Sequence, residues 1–196
     1  MAKKESTFIN MFLTMLIVSS VAALALGGVH MVTKGPIALN QNKVMREALE
    51  HVLPQFDNNI TEEMHTVALE GEDPVNLYVA ENDGEMVGVA VESYSNKGYS
   101  GRIKIMVGFL PDGTINNISV LDHKETPGLG DKMEKSKSEW SKQYNDKHPD
   151  ETDLRVAKDG GDIDAITAAT ISSRAYSDAV QRAYDAFIKE IKGGEE

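Results

Sequence analysis

The feature that most constrains this chain is an uncharged apolar stretch near its N-terminus. Residues 8–32 contain no Asp, Glu, Lys or Arg and are rich in Leu, Val, Ile and Met. Because roughly 20 apolar residues in a helix cross the hydrocarbon core of a bilayer, the stretch predicts a transmembrane helix. The apolar region of a cleaved signal peptide usually has only about 7–15 residues. The length therefore favours a retained membrane anchor.

Basic residues near this stretch predict its orientation. Lys3 and Lys4 precede it, and only Lys34 follows it closely. Because cytoplasmic flanks carry the excess of Lys and Arg, the N-terminus is expected in the cytoplasm. The remainder of the chain would lie on the periplasmic or extracytoplasmic side of the cytoplasmic (inner) membrane.

The composition excludes several classes of function. There is no cysteine, so the chain has no disulfide, no thiolate metal site and no cysteine-bound iron–sulfur cluster. Residues 35–196 hold 17 basic and 30 acidic side chains. Such an acidic balance argues against nucleic-acid binding, and no metal site is predicted.

A second helix is predicted after the apolar stretch. Gly35 and Pro36 are expected to end the first helix, because proline lacks a backbone N–H and clashes with the preceding turn. Apolar residues then recur at helical spacing over residues 40–53, and Pro54 follows. Residues 55–73 are acidic and weakly patterned, which indicates a linker.

The remaining chain predicts an antiparallel sheet. Four segments have strand character: residues 76–80, 86–94, 102–110 and 115–121. Asp83-Gly84 and Asp112-Gly113 lie between consecutive segments, and Asp-Gly between apolar runs is typical of hairpins. Residues 135–144 are expected to form a polar helix. The last helix follows residue 170, and its apolar residues recur at i, i+3, i+4 and i+7. The fold class is therefore α+β, an antiparallel sheet flanked by helices, with one N-terminal transmembrane helix.

A run of small and hydroxyl residues directly precedes the last helix. It reads Asp164-Ala165-Ile166-Thr167-Ala168-Ala169-Thr170 and continues into Ile171-Ser172-Ser173. A helix N-terminus offers unpaired N–H groups and the positive end of the helix dipole, which suit a phosphate. Ordinary helix capping by Asp164 or Thr167 is the alternative interpretation.

A glycine-rich loop precedes the predicted polar helix. It reads Glu125-Thr126-Pro127-Gly128-Leu129-Gly130. Gly128 and Gly130 permit positive φ and close approach by a ligand. A simple turn between a strand and a helix is the alternative.

Both segments resemble parts of known flavoproteins. The run ending at Thr170 resembles the covalent flavinylation motif Asp-x-x-Ser/Thr-Gly-Ala-Thr, with Ala168 in place of the glycine. Together with the single anchor and the lead Gly98-Tyr99-Ser100-Gly101, the whole chain resembles the G subunit of the Rnf electron-transport complex. Ser100 stands where that lead commonly has a second glycine. A related domain occurs in the C subunit of the sodium-translocating NADH:quinone reductase, which remains an alternative.

The resemblance implies a function, a cofactor and partners. FMN would be joined through a phosphodiester to Thr170 by a separate flavin transferase that uses FAD. The cofactor-binding residues implied are Thr170, Asp164, Thr167, Ala169, Thr126, Gly128 and Leu129. The partners would be the other membrane subunits of an ion-translocating ferredoxin:NAD oxidoreductase. Residues 1–34 would form the cytoplasmic tip and anchor, residues 35–73 a helix and linker, and residues 74–196 the FMN-binding domain.

Other functions remain open from the residues alone. A membrane-anchored binding or structural protein would have the same anchor and an unmodified Thr170. A hydrolase using Ser172 or Ser173 with His123 lacks the Gly-x-Ser-x-Gly elbow. Asp159, Asp162 and Asp164 cluster in sequence but lack the ligand spacing of an EF-hand calcium loop.

Overall fold

A long helix is the first element of the described residues. The computed structural model describes residues 7–193 except 63, 70 and 72. It divides the chain into two compact units, Met1–Val44 and Met45–Glu196. Helix α1, Phe8–Val52, includes the apolar stretch and continues into the second unit. Lys3 and Lys4, on which the orientation prediction depends, lie outside the described residues.

The predicted helix break at Gly35 and Pro36 is wrong. Pro36 lies inside α1, and the helix predicted over residues 40–53 is the C-terminal part of the same element. An internal proline removes one backbone hydrogen bond, whereas ending a helix leaves four carbonyl groups without partners. Continuing the helix through Pro36 therefore loses fewer backbone hydrogen bonds than ending it there. Within the described part of the chain, α1 is the one helix long and apolar enough to cross a membrane.

An antiparallel sheet forms the centre of the second unit. In the described residues it has five strands in sequential order, β1 Met64–Val67, β2 Val75–Asn82, β3 Glu85–Gly98, β4 Gly101–Phe109 and β5 Ile115–Asp122. Asp83 and Gly84, with φ of 54° and 80°, form the turn between β2 and β3. The four predicted strands and the first hairpin are confirmed.

Strand β1 lies within the segment predicted to be a linker. It has four residues, of which three are exposed. Its register against β2 pairs Met64 with Tyr78 and Val67 with Val75. So short and exposed a strand has no apolar alternation, which is why the sequence pattern missed it.

Helices cover both faces of the sheet. Helix α2, Thr170–Gly193, buries Ala179, Val180 and Phe187 in the core on one face. On the other face, Leu49 and Val52 of α1 pack in a smaller apolar cluster. These residues of α1 belong to the second unit. The predicted α+β class, an antiparallel sheet flanked by helices, is confirmed.

A close backbone approach fixes this second layer. A Cβ atom added to Gly108 of β4 would lie 2.0 Å from the Val52 carbonyl oxygen. The end of α1 therefore contacts the strand backbone directly, which a residue with a side chain would prevent.

The segment between β5 and α2 is largely irregular. The predicted helix over residues 135–144 is wrong for most of its length, since only Trp140–Tyr144 forms a short 3-10 helix there. Ser138 Oγ donates to the Lys132 carbonyl and accepts from the Trp140 N–H. A serine that bonds the neighbouring backbone in this way competes with regular helix formation.

Candidate functional site

Thr170 is the first residue of α2 and follows a tight turn. The Ala169 N–H donates to the Ile166 carbonyl over 3.0 Å. Ala168, the third residue of this turn, has a φ of +64°. Turns of type II require positive φ at that position and favour glycine there. The residue at which the chain departs from the flavinylation motif is therefore one where the backbone adopts a glycine-like conformation.

Ser173 stabilises the turn from inside the helix. Its Oγ accepts from the Ile166 N–H at 2.9 Å and donates to the Ala169 carbonyl at 3.0 Å. Ala169 is buried, whereas Thr167 and Asp164 are exposed and Thr170 is half-buried. Ser173 thus holds the turn before α2, while the hydroxyl of Thr170 takes no part in these bonds.

Thr170 meets a cation. The Nζ of Lys158 donates to Thr170 Oγ1 over 3.1 Å. No acceptor among the described residues takes the backbone N–H groups of Thr170, Ile171 and Ser172. The start of α2 thus offers an ammonium group in contact with the Thr170 hydroxyl and three backbone N–H groups without acceptors, a donor set that suits an anion. Sequence reasoning missed Lys158, because it lies twelve residues earlier without a recognised spacing.

The Asp164 backbone is held by the 3-10 helix Trp140–Tyr144. Trp140 Nε1 donates to the Asp164 carbonyl over 2.6 Å, and the Asp164 N–H donates to Gln143 Oε1 over 2.8 Å. The Trp140 ring packs edge-on against Tyr176 of α2, with ring centroids 5.2 Å apart. Burial raises the pKa of Tyr176 well above its ordinary value, so this ring stays neutral. Sequence reasoning missed Trp140, although it is the chain's single tryptophan.

Glu125 joins three segments around the start of α2. Its carboxylate is buried and accepts from the Ser100 N–H at 2.9 Å and from Ser172 Oγ at 2.5 Å. A Cβ on Gly98 would lie 2.8 Å from Glu125 Oε1, and a Cβ on Gly130 would lie 2.7 Å from the Glu125 Cβ. The glycine-rich loop, the turn between β3 and β4 and the Thr170 segment therefore meet at one carboxylate. These are three of the segments named in the resemblance, and the structure brings them together.

The tip of the glycine-rich loop is open to solvent. Thr126, Gly128 and Leu129 are all exposed, and the Leu129 N–H closes the turn on the Thr126 carbonyl. Gly128 has a φ of +79°, with no atom within 4 Å of an added Cβ. Gly130 has no positive φ and serves the close packing on Glu125 instead.

Exposed apolar side chains surround the same junction. In the described residues of the second unit, the large apolar side chains that stay exposed are Met64, Tyr99, Leu129 and Ile171. Tyr99 precedes Ser100, Leu129 precedes Gly130 and Ile171 precedes Ser172, so three of the four adjoin residues that contact Glu125. The position of these three side chains beside the Glu125 junction is consistent with a binding surface there.

The other combinations considered from the sequence do not assemble. His123 Nε2 lies 2.7 Å from Glu134 Oε1, and its Nδ1 accepts from the Glu125 N–H, so it contacts neither Ser172 nor Ser173. Asp159 pairs with Arg174, while Asp162 accepts from the Asp153 N–H. No group of three or more His, Asp or Glu side chains gathers as a metal site within the residues described.

Comparisons with known proteins agree on one family. A family model described as FMN-binding domain matches residues 98–185. A protein of Shewanella oneidensis is 38% identical over 164 residues, covering 79% of this chain and 77% of the relative. A protein of Erwinia tasmaniensis is 40% identical over 163 residues, with the same coverages. One of Aliivibrio fischeri is 36% identical over 191 residues, covering 92% and 88%. All three are named as the G subunit of an ion-translocating oxidoreductase complex.

Proposed function

Because the chain belongs to the family of G subunits of ion-translocating oxidoreductase complexes, we propose that it carries electrons on FMN attached covalently to Thr170. It is an FMN-binding electron-transport subunit of an Rnf complex. The covalent phosphodiester, the membrane orientation and the identity of the site residues are the proposal. The observation that carries it is the half-buried Thr170 hydroxyl at the start of α2, in contact with the Lys158 ammonium group.

The residues around Thr170 fit a phosphate. The N–H groups of Thr170, Ile171 and Ser172 are without acceptors in the described structure and lie at the positive end of α2. The positive φ of Ala168 closes the turn before α2. The buried Ala169 follows this turn and is joined directly to Thr170, which carries the hydroxyl. Asp164 and Thr167, both exposed, are available to a second protein that presents FAD.

The glycine-rich loop fits a flat aromatic ring system. Leu129 offers an exposed apolar side chain, and the open space at Gly128 permits close approach to the backbone. Thr126 adds an exposed hydroxyl to the same loop. Bound FMN supplies the redox chemistry of its isoalloxazine ring, while the protein supplies attachment, orientation and environment. Thr170 in this arrangement is a tether that does not turn over.

The N-terminal helix is proposed to anchor the subunit. Residues 1–34 would form the cytoplasmic tip and the membrane span, residues 35–73 the connection, and residues 74–196 the FMN-binding domain on the extracytoplasmic side. The exposed apolar surface of α1, including Phe12, Leu16 and Leu24, supports contact with lipid or with apolar helices of neighbouring subunits. A covalent link suits this location, because a carrier outside the cytoplasm cannot be refilled from a cytoplasmic FMN pool.

Two kinds of partner are part of the proposal. A flavin transferase would attach FMN during maturation. The other membrane subunits of the Rnf complex would exchange electrons with the attached FMN, in a complex that couples ferredoxin and NAD chemistry to ion movement.

Intact mass and peptide mapping test the proposal. The full-length protein is produced with and without an active flavin transferase, beside Thr170→Ala and, as the matched control, Thr61→Ala at an exposed threonine outside the proposed site. We expect a gain of FMN less water on the peptide containing Thr170, kept in Thr61→Ala and lost in Thr170→Ala. If the transferase modifies another substrate but adds no FMN mass to this protein, the proposal is overturned. That outcome would favour a membrane-anchored binding protein without flavin.

A further inference from the structure

One cation at the start of α2 has no carboxylate partner among the described residues, and this carries an inference that rests on the proposed flavin attachment. We propose that Lys158 is a positioning residue that binds the phosphate joined to Thr170. Its ammonium group lies 3.1 Å from the hydroxyl oxygen that would become the ester oxygen. The oxygens of a phosphate on that atom come within reach of the same Nζ.

The backbone around Lys158 is tightly built. Lys158 lies in the 3-10 helix Ala157–Asp159, which ends at Gly160 with a φ of +87°. The Ala157 N–H donates to the Ile163 carbonyl over 2.7 Å. A Cβ on Gly161 would lie 2.0 Å from the Arg155 carbonyl oxygen, so the chain folds back on itself here. Lys158 thus projects from a well-defined backbone, which places its ammonium group beside Thr170.

An adjacent ion pair fixes this support to α2. Arg174 donates to both carboxylate oxygens of Asp159, at 2.6 and 2.7 Å. These hydrogen bonds lower the pKa of Asp159, so the carboxylate stays charged at neutral pH. Arg174 lies one helical turn beyond Thr170, so the pair holds the 3-10 helix against the same end of α2.

The charges around Thr170 distinguish Lys158 from Arg174. Asp159 neutralises Arg174 through two bonds, whereas the described residues place no carboxylate within ion-pair distance of Lys158. Lys158 is also exposed, so its charge is reached from solvent. The ammonium group of Lys158 is therefore available to pair with the negative charge of a phosphate on the Thr170 hydroxyl.

The attachment reaction explains when Lys158 acts. Thr170 Oγ1 forms a bond to the flavin-side phosphorus of FAD, and the bond from that phosphorus to the bridging oxygen breaks. AMP leaves with the bridging oxygen, the hydroxyl proton passes to a base of the transferase or to water, and no redox change occurs. Lys158 donates a hydrogen bond to Oγ1 before the reaction and balances the negative charge of the phosphodiester afterwards. It removes no proton and is not a nucleophile in this step.

Variants at position 158 test the role of the charge. Full-length Lys158→Arg, Lys158→Gln and Lys158→Glu are flavinylated by the transferase, and intact mass is followed with time. Since charge-assisted hydrogen bonds exceed neutral ones, we expect Lys158→Gln to slow attachment about tenfold, Lys158→Glu to slow it further, and Lys158→Arg to restore most of the rate. Lys137→Gln, at another exposed lysine, is the matched control and should match the natural protein.

A second readout detects the phosphate directly. The 31P chemical shift of the attached phosphodiester should differ between the natural protein and Lys158→Gln, and Lys158→Arg should return it towards the natural value. The attachment rate of the natural protein should also fall more steeply with ionic strength than that of Lys158→Gln. A purely structural role for Lys158 would change neither the 31P shift nor the salt dependence.

The outcomes separate this inference from the proposed function. If the natural protein gains no flavin, the proposed attachment at Thr170 fails. If it gains flavin, and Lys158→Gln has the same rate and the same 31P shift, the attachment stands and the role of Lys158 is refuted. Slowing in Lys137→Gln equal to that in Lys158→Gln would likewise refute a specific role.

Discussion

Replacing Ala168 by glycine should stabilise this protein. Ala168 has a φ of +64°, and this left-handed conformation costs an L-residue about 1–2 kcal/mol. Glycine adopts it without strain but adds about 0.4–1 kcal/mol of conformational entropy to the unfolded chain. Ala168 is exposed, so removing its methyl group leaves no cavity. Ala168→Gly should therefore raise the free energy of unfolding by about 0.5–1 kcal/mol.

Ala169→Gly is the matched control for this prediction. Ala169 adjoins Ala168, lies outside the left-handed region and is 7% exposed. Losing a buried methyl group costs about 0.8 kcal/mol, to which the added chain entropy contributes again. Ala169→Gly should therefore destabilise the protein by about 1–2 kcal/mol. One Ala→Gly change thus stabilises and its neighbour destabilises, because the two residues differ in backbone conformation and burial.

Urea unfolding of the full-length protein in detergent measures both effects. Trp140, the single tryptophan, reports on the region around Asp164 through its fluorescence. The midpoint should rise for Ala168→Gly and fall for Ala169→Gly, with an unchanged slope in each case. A fall of the midpoint in Ala168→Gly equal to that in Ala169→Gly would refute the argument from the turn.

Three further predictions concern contacts that hold the site and the sheet. Glu125→Ala should lower the free energy of unfolding by about 1–3 kcal/mol, because it leaves the buried Ser172 hydroxyl without its acceptor and also frees the exposed Ser100 N–H. In the same urea assay, a loss smaller than that of Glu125→Gln would contradict this reasoning. Burial raises the pKa of Asp178, but the hydrogen bonds from Lys97 and Ser95 lower this pKa by more, so its net shift is downward. The stability that this carboxylate contributes is present above its unfolded pKa and is lost as the pH falls through the lower folded value. Asp178→Asn should flatten this acid loss in a pH series of thermal unfolding, and an unchanged pH profile would oppose the assignment. Trp140→Phe should slow flavin attachment severalfold in the mass assay with a secondary-structure spectrum unchanged, since it leaves the Asp164 carbonyl with only the longer hydrogen bond from Gln143 Nε2. An unchanged rate would show that the bond from Trp140 is not needed.

The elements with strong periodic patterns could be predicted from the sequence. Helix α2 buries one apolar face, which leaves a helical period, and the central strands β3 and β4, covered on both faces, are apolar runs bounded by turn residues. Both patterns can be read directly from the sequence. Strand β1 and the segment 135–144 lack such patterns. Their backbone is fixed by pairing with β2 and by local serine contacts. The continuity of α1 through Pro36 cannot be read from the sequence, because a proline ends some helices and is accommodated inside others.

Only part of the candidate site can be predicted from the sequence, because sequence patterns report on residues that are close together in the chain. Thr170, Asp164 and Ala168 lie together in one short run, so a motif identifies them. The contacts around them come from far along the chain: Lys158 meets Thr170, and Glu125 meets Ser172. Neither contact has a sequence spacing that marks it.

The sequence by itself determined the apolar N-terminal helix, the α+β class and the position of the hydroxyl run at the start of the last helix, because these depend on local composition and on periods within one element. Only the tertiary structure decided the positive φ of Ala168, the junction at Glu125 and the cation on Thr170. These features depend on side chains and turns that become neighbours after the sheet and α2 have packed together. Contacts between residues far apart in sequence depend on how the whole core packs, so they cannot be read from any single segment.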